Sequence, residues 1–152
     1  MQLRKAELLK RFVAALIDGV ISLIPAVVPI IGGVIGVVYD LTKDGLVFSL
    51  TRDDQWKNVS IGKKVMGIKV VRVDGSDITV ADSVKRNITL AAGSIIAIVP
   101  VIGWVVGSVV GALLGILEII LVLVDPDGRR LGDKLAGTWV VEAETASQAA
   151  SN

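Results

Sequence analysis

The sequence predicts an all-α integral membrane protein with four transmembrane helices folded as two helical hairpins and a small cytoplasmic β element. Three observations carry this expectation. Apolar side chains make up 53% of the chain and mean hydropathy is +0.71, above the range of soluble domains. Two apolar stretches, Phe12 to Tyr39 and Asn87 to Val124, each exceed the roughly 20 residues that cross about 30 Å of hydrocarbon. Each stretch also contains proline followed by glycine, the punctuation of a chain reversal.

The first reversal is Pro25-Ala-Val-Val-Pro29-Ile-Ile-Gly32-Gly33 and the second is Pro100-Val-Ile-Gly103. They divide the stretches into spans near 10–28, 31–49, 83–101 and 104–124. The 16 basic residues test this division. They are Arg4, Lys5, Lys10 and Arg11; Lys43, Arg52, Lys57, Lys63, Lys64, Lys69, Arg72, Lys85 and Arg86; and Arg129, Arg130 and Lys134. With four spans all of them share one compartment, and the two far turns carry none. With two spans the middle group would face away from both ends. Basic residues mark the cytoplasmic side, so both termini and the central loop are expected there, at a plasma or inner membrane. A cleaved leader is not expected, because Asp18 breaks the first apolar run early and the run continues past leader length.

The central loop, 51–82, carries a β-rich run from Lys64 to Val73, then the turn pair Asp74-Gly75. Ile78-Thr79-Val80 is expected to return as a short strand. Thr79 and Asp82 have the spacing of a capping box for the third helix. Asp125-Pro126-Asp127-Gly128 makes a sharp exit from the fourth span, and Thr138 to Val141 is expected to pair with the loop strand. One membrane domain therefore covers 1–143, and 144–152 reads as a disordered tail. The hairpins echo each other: Pro29-Ile-Ile-Gly32 leads to Gly36 as Pro100-Val-Ile-Gly103 leads to Gly107. Duplication and the chance likeness of valine-, isoleucine- and glycine-rich segments both account for this.

The chain has no cysteine and no histidine. That excludes disulfides, Cys- or His-ligated metal and a histidine-based hydrolase triad. No nucleophile–base pair stands out, so the chain is expected not to be an enzyme and to need no cofactor or metal. The basic loop lacks interleaved aromatics apart from Trp56, which argues against nucleic acid and for anionic lipid heads.

Gly103, Gly107, Gly111 and Gly115 recur every fourth residue and form one helical stripe suited to close packing, within the chain or in a homo-oligomer. Asp18 lies two turns after Arg11 and about 10 Å further along the axis. A lone charge there costs about 2.5 kcal/mol or more, so Asp18 must find a partner. Asp40, Lys43 and Asp44 share one face of the second span, and Glu118 lies nearer the cytoplasmic end of the fourth. With Arg11 and Arg86 at the bundle mouth, Asp18, Asp40, Asp44 and Glu118 are candidate ligands for protons or monovalent cations. The alternative is that these charges are ion pairs that fix helix registry.

Arg11-Phe-Val-Ala-Ala-Leu-Ile-Asp18 resembles the opening motif of the RDD family of membrane proteins. Ser60-Ile-Gly62-Lys63-Lys-Val-Met-Gly67 with Asp74-Gly75 resembles that family's cytoplasmic loop, Arg86 its next span opening, and Gly128-Arg-Arg-Leu-Gly-Asp133-Lys-Leu-Ala-Gly137 its closing motif. Gly132 departs from the pattern, since histidine is common there. The resemblance implies that Arg11, Asp18 and Asp133 are the name-giving residues. It implies a prokaryotic membrane location and transport, with sodium/proton antiport proposed for some members. Asp133 is expected to close over the bundle mouth and pair with Arg11 or Arg86. Two functions follow as expectations: a cation- or proton-coupled transporter, or a non-transporting membrane scaffold or assembly factor.

Overall fold

A computed structural model of the chain describes residues 3–28 and 31–150. The protein is mostly helical, 69%, with one two-stranded sheet. Four long helices form a bundle: α1 (Leu8–Leu23), α2 (Ile31–Thr51), α4 (Val80–Ile96) and α5 (Ile102–Val124). Two short helices, α3 (Ile61–Val65) and α6 (Leu131–Ala136), each lead into a strand, β1 (Ile68–Arg72) and β2 (Thr138–Glu142). A last helix, α7 (Ala143–Ala150), follows β2 directly.

Neighbouring long helices run antiparallel. Asp18 of α1 meets Tyr39 of α2, while Ser22 lies against Gly36. Val80 of α4 packs on Gly45 of α2, and Asn87 reaches Asp44. Thr89 of α4 donates to Glu118 of α5, and Gly93 faces Gly107 and Gly111. The helix row is therefore α1, α2, α4, α5, with α4 and α5 joined by a turn at 97–101. Among the described residues one helix, α5, is both long and apolar enough to cross a membrane, with a hydropathy of 2.6. The others carry charge or are shorter: α1 has 16 residues and α4 has 17. The α4 helix ends before Pro100, which disfavours helical geometry in the residue preceding it. Pro29 of the first expected turn lies outside the described residues, while Pro25 opens a 3-10 turn over Ile24–Val27.

The short helices and strands form a cap over the bundle end that holds residues 8–11 and 118–124. The strands pair antiparallel, with Val70 opposite Val140. The N-terminal segment adds to the free edge of β2: Ala6 donates to the Val140 carbonyl and Glu142 donates to that of Arg4. Ala6, Ala14, Ile68, Val70 and Val140 bury one another under the sheet. The expected strand at Ile78 does not form. Thr79 and Asp82 close a reciprocal capping box, which commits Val80 to the first turn of α4, and β1 pairs with β2, the partner expected for it.

The tail expected to be disordered from 144 is helical through Ala150. Alanine is the best helix former, and Ala146 is buried against Val71 and Val141. Residues 151 and 152 of that tail lie outside the described residues.

The cap contains the same unit twice. Ser60-Ile-Gly62-Lys-Lys64-Val-Met-Gly67 and Arg130-Leu-Gly132-Asp-Lys134-Leu-Ala-Gly137 each form a short helix that ends on a left-handed glycine. Gly67 has φ +66° and Gly137 +63°, a conformation that glycine adopts without the penalty a Cβ would bring. Each glycine delivers the chain into a strand. The interval from Gly62 to Gly132 also separates the opposed residues Val70 and Val140, so the sheet centre lies on a local two-fold axis.

Candidate functional site

Each short cap helix is seated on the bundle by a glycine and a carboxylate. A Cβ on Gly62 would collide with the Ala14 carbonyl oxygen of α1, and one on Gly132 with the Arg86 carbonyl oxygen of α4. Both glycines are therefore points where backbone touches backbone. Beside each, an acid from a long helix accepts the free amides of the short one. Asp18 accepts from the Gly62 amide at 2.8 Å and from Ser60 Oγ at 2.5 Å. Glu118 accepts from the amides of Leu131 at 2.9 Å and Gly132 at 3.3 Å, and from Thr89 Oγ1. Helix N-termini leave these donors unsatisfied and carry partial positive charge, so a buried carboxylate is well placed there.

Between the two seats runs a continuous chain of buried ion pairs. Lys63 Nζ lies 3.8 Å from Asp18 and 2.6 Å from Asp44. Asp44 also faces Arg86 Nη1 at 3.2 Å and Asn87 Nδ2 at 3.2 Å. Arg86 turns its other face to Asp133, with Nε at 3.0 Å and Nη2 at 2.6 Å from Oδ1. Asp133 Oδ2 then meets Arg11 Nη2 at 3.1 Å. Arg130 stands 3.5 Å from both Asp133 and the Asn87 amide oxygen, and Arg11 donates onward to the Gly128 carbonyl. Asp18, Asp44, Arg86 and Asp133 have no exposed surface. Burial alone would raise the Asp133 carboxyl, but Arg86, Arg130 and Arg11 outweigh it and hold it well below the usual carboxylate range. Burial pushes the Lys63 ammonium below its ordinary value, with Asp44 opposing.

Asp18, Asp40, Asp44 and Glu118 therefore do not form one ligand set. Asp18 and Asp44 share Lys63, whereas Glu118 occupies the seat of α6. Asp133 contacts both Arg86 and Arg11, the two partners its position in the sequence suggested. Among the described residues no three acids gather as a metal-ligand group. Asp40 stands apart. Its Oδ1 accepts from Lys43 at 3.2 Å, its Oδ2 has no partner among the described residues, and its side chain borders a cavity. That cavity, of about 490 Å³, lies between α1, α2, α4 and the start of α5, toward the end away from the cap, and its lining includes Gly33, Gly36, Ser94 and Trp104.

The glycine stripe divides. Gly107 lies within about 3 Å of Gly93 and Ala97 of α4, measured from the Cβ it lacks, and Gly103 meets Ile96 and Val99. Gly111 touches Gly93, and nothing among the described residues of this chain lies within 4 Å of Gly115. Sequence reasoning missed Ser60, Lys63, Asn87 and Arg130 as members of the charge chain. The one signal for Ser60, Lys63 and Arg130 was the repeated short helix itself, with polar residues two before and one after the glycine that faces the bundle; Asn87 had none.

A 30% identical relative, an uncharacterized protein of Bacillus subtilis (strain 168) called YckC, aligns over 98 residues. The alignment covers 64% of this chain and 56% of the relative, so the chain spans little more than half of that protein's length. No solved structure matches. The RDD family's sequence profile matches residues 47–137, which include Lys63, Arg86, Glu118 and Asp133, while Arg11 and Asp18 lie before the matched segment. A profile match over more than half of the chain, ending on the Asp133-bearing segment that closes the charge chain, shows that this chain belongs to the RDD family of membrane proteins.

Proposed function

We propose that the chain is a four-span, non-enzymatic membrane scaffold whose buried charges lock a rigid cytoplasmic cap onto two helical hairpins. The four-span arrangement, with α1, α2, α4 and α5 in the bilayer and both termini inside, is supported by the placement of the 16 basic residues, none of them in the two turns far from the cap. One observation carries the scaffold reading: the acids suited to moving ions already have fixed partners. Asp44 and Asp133 both face Arg86, and an arginine cannot give up its proton. Asp18 spends its oxygens on the Gly62 amide and the Ser60 hydroxyl, and Glu118 spends its own on the amides of Leu131 and Gly132. Such a lattice holds parts in register, and the cap it holds presents a fixed surface to a cytoplasmic partner.

The cavity bordered by Asp40 favours a second reading, cation- or proton-coupled transport. There Asp40, with one free oxygen, carries the ion in place of Asp18, Asp44 or Glu118, and four spans per chain call for a homodimer to provide alternating access. Sealed vesicles containing the purified protein and a pH-sensitive dye separate the two. The scaffold reading expects no dissipation of a proton gradient on adding sodium, potassium or lithium. A flux abolished by Asp40→Asn would replace it with transport.

A further inference from the structure

We propose that the cavity between the hairpins binds a lipophilic primary ammonium, with its charged head at Asp40 and its apolar body running toward Trp104. The cavity's volume of about 490 Å³ lies within the roughly 300–1,000 Å³ of small-molecule sites. Among the described residues Asp40 is the one charged member of its lining, and the Ser94 hydroxyl, also in the lining, has no hydrogen-bond partner. The remaining wall is mostly apolar. Glycines at 33 and 36 remove side chains from the α2 face that leads to Asp40. From Gly33 to Asp40 that face rises roughly 10 Å, the length of a short alkyl chain, and Trp104 stands at its far end.

This distribution selects the ligand's chemistry. An anion would meet a carboxylate. A bare hard cation would find one free carboxylate oxygen where it needs six or more oxygens for calcium. A lipid tail would cover Asp40 Oδ2 without giving it a hydrogen-bond partner, and burying an unsatisfied polar atom is costly. A primary ammonium supplies three donors, one of which satisfies Asp40 Oδ2, while its hydrocarbon covers the apolar wall. Lys43, bonded to Asp40 Oδ1 at 3.2 Å, is its competitor.

Binding needs no transport, so this site stands independently of the scaffold reading. The test uses the full chain in detergent with Trp56→Phe and Trp139→Phe, which leaves Trp104 as the reporter. Hexylammonium is expected to change Trp104 emission saturably at a concentration at least about tenfold below that required by hexanol, the preference that a charge-assisted hydrogen bond worth about 1.5 kcal/mol provides. Asp40→Asn removes the preference and Asp40→Glu keeps it. Lys43→Met, which removes the competing cation, tightens hexylammonium binding, and this variant decides the matter should Asp40→Asn fail to fold. Equal response to hexylammonium and hexanol, or a preference untouched by either Asp40→Asn or Lys43→Met, overturns the proposal. Flux in vesicles would overturn the scaffold reading and leave this site standing.

Discussion

Arg86 occupies the centre of the charge lattice, with no exposed surface and a carboxylate on each side. Replacing it by glutamine leaves Asp44 and Asp133 short of counter-charge in a dry interior, where breaking a buried pair costs about 3–5 kcal/mol. Thermal unfolding in detergent should show that loss. Arg86→Lys should recover only part of it, since an ammonium lacks the planar fork that serves two acids at once. Acid should loosen the cap as well. Bonding to Lys134 and to the Arg129 amide holds the Asp125 carboxyl down at about 2, below its ordinary 3.8, and Asp133 is shifted the same way. A depressed folded-state value stabilises above the unfolded one and is lost as pH falls through the folded one. Trp139 emission should therefore report a transition between pH 3.8 and about 2, and Asp125→Asn should reduce its amplitude. Asp18 and Arg86 were legible in the sequence because charge is conspicuous beside apolar helix, and Asp133 through the resemblance of its segment to the family's closing motif. Lys63 was not, because one buried lysine in a loop rich in exposed ones has no local marker and its partner Asp44 sits on another element.

At the scale of elements, the two seats make a paired prediction. Valine at Gly62 or Gly132 would drive a side chain into a carbonyl oxygen of α1 or α4, where backbone cannot yield. Each substitution should release its own short helix, seen as faster amide exchange over 61–65 or over 131–136, with α5 unchanged. Equal protection in both variants would mean that the seats do not hold the cap. The long helices were readable from apolar runs and proline punctuation, and the α4 start from its capping box. The strand expected at Ile78 was displaced by that same box, because Thr79 and Asp82 satisfy each other locally while a strand would have needed a distant edge. The helical tail escaped notice because its stabilising contact, Ala146 on Val71 and Val141, joins segments far apart in the chain.

At the scale of the molecule, compartment is the prediction to test. Ser76→Cys, in the turn after β1, should label with a membrane-impermeant thiol reagent only from the cytoplasm, and Val101→Cys, between α4 and α5, only from the opposite side. Labelling of both from one side would remove the four-span arrangement. The local two-fold through Val70 and Val140 has a consequence for biosynthesis. The first cap unit emerges soon after its hairpin and can settle on Asp18 while translation continues. The second emerges only after α5, and it alone delivers Asp133 to Arg11 and Arg86. A nascent chain paused before Leu131 holds both guanidinium groups with their shared acceptor, Asp133, still unmade. The closing latch thus follows all four long helices in order of synthesis, and a chain truncated before it should be read by quality-control proteases as unfinished.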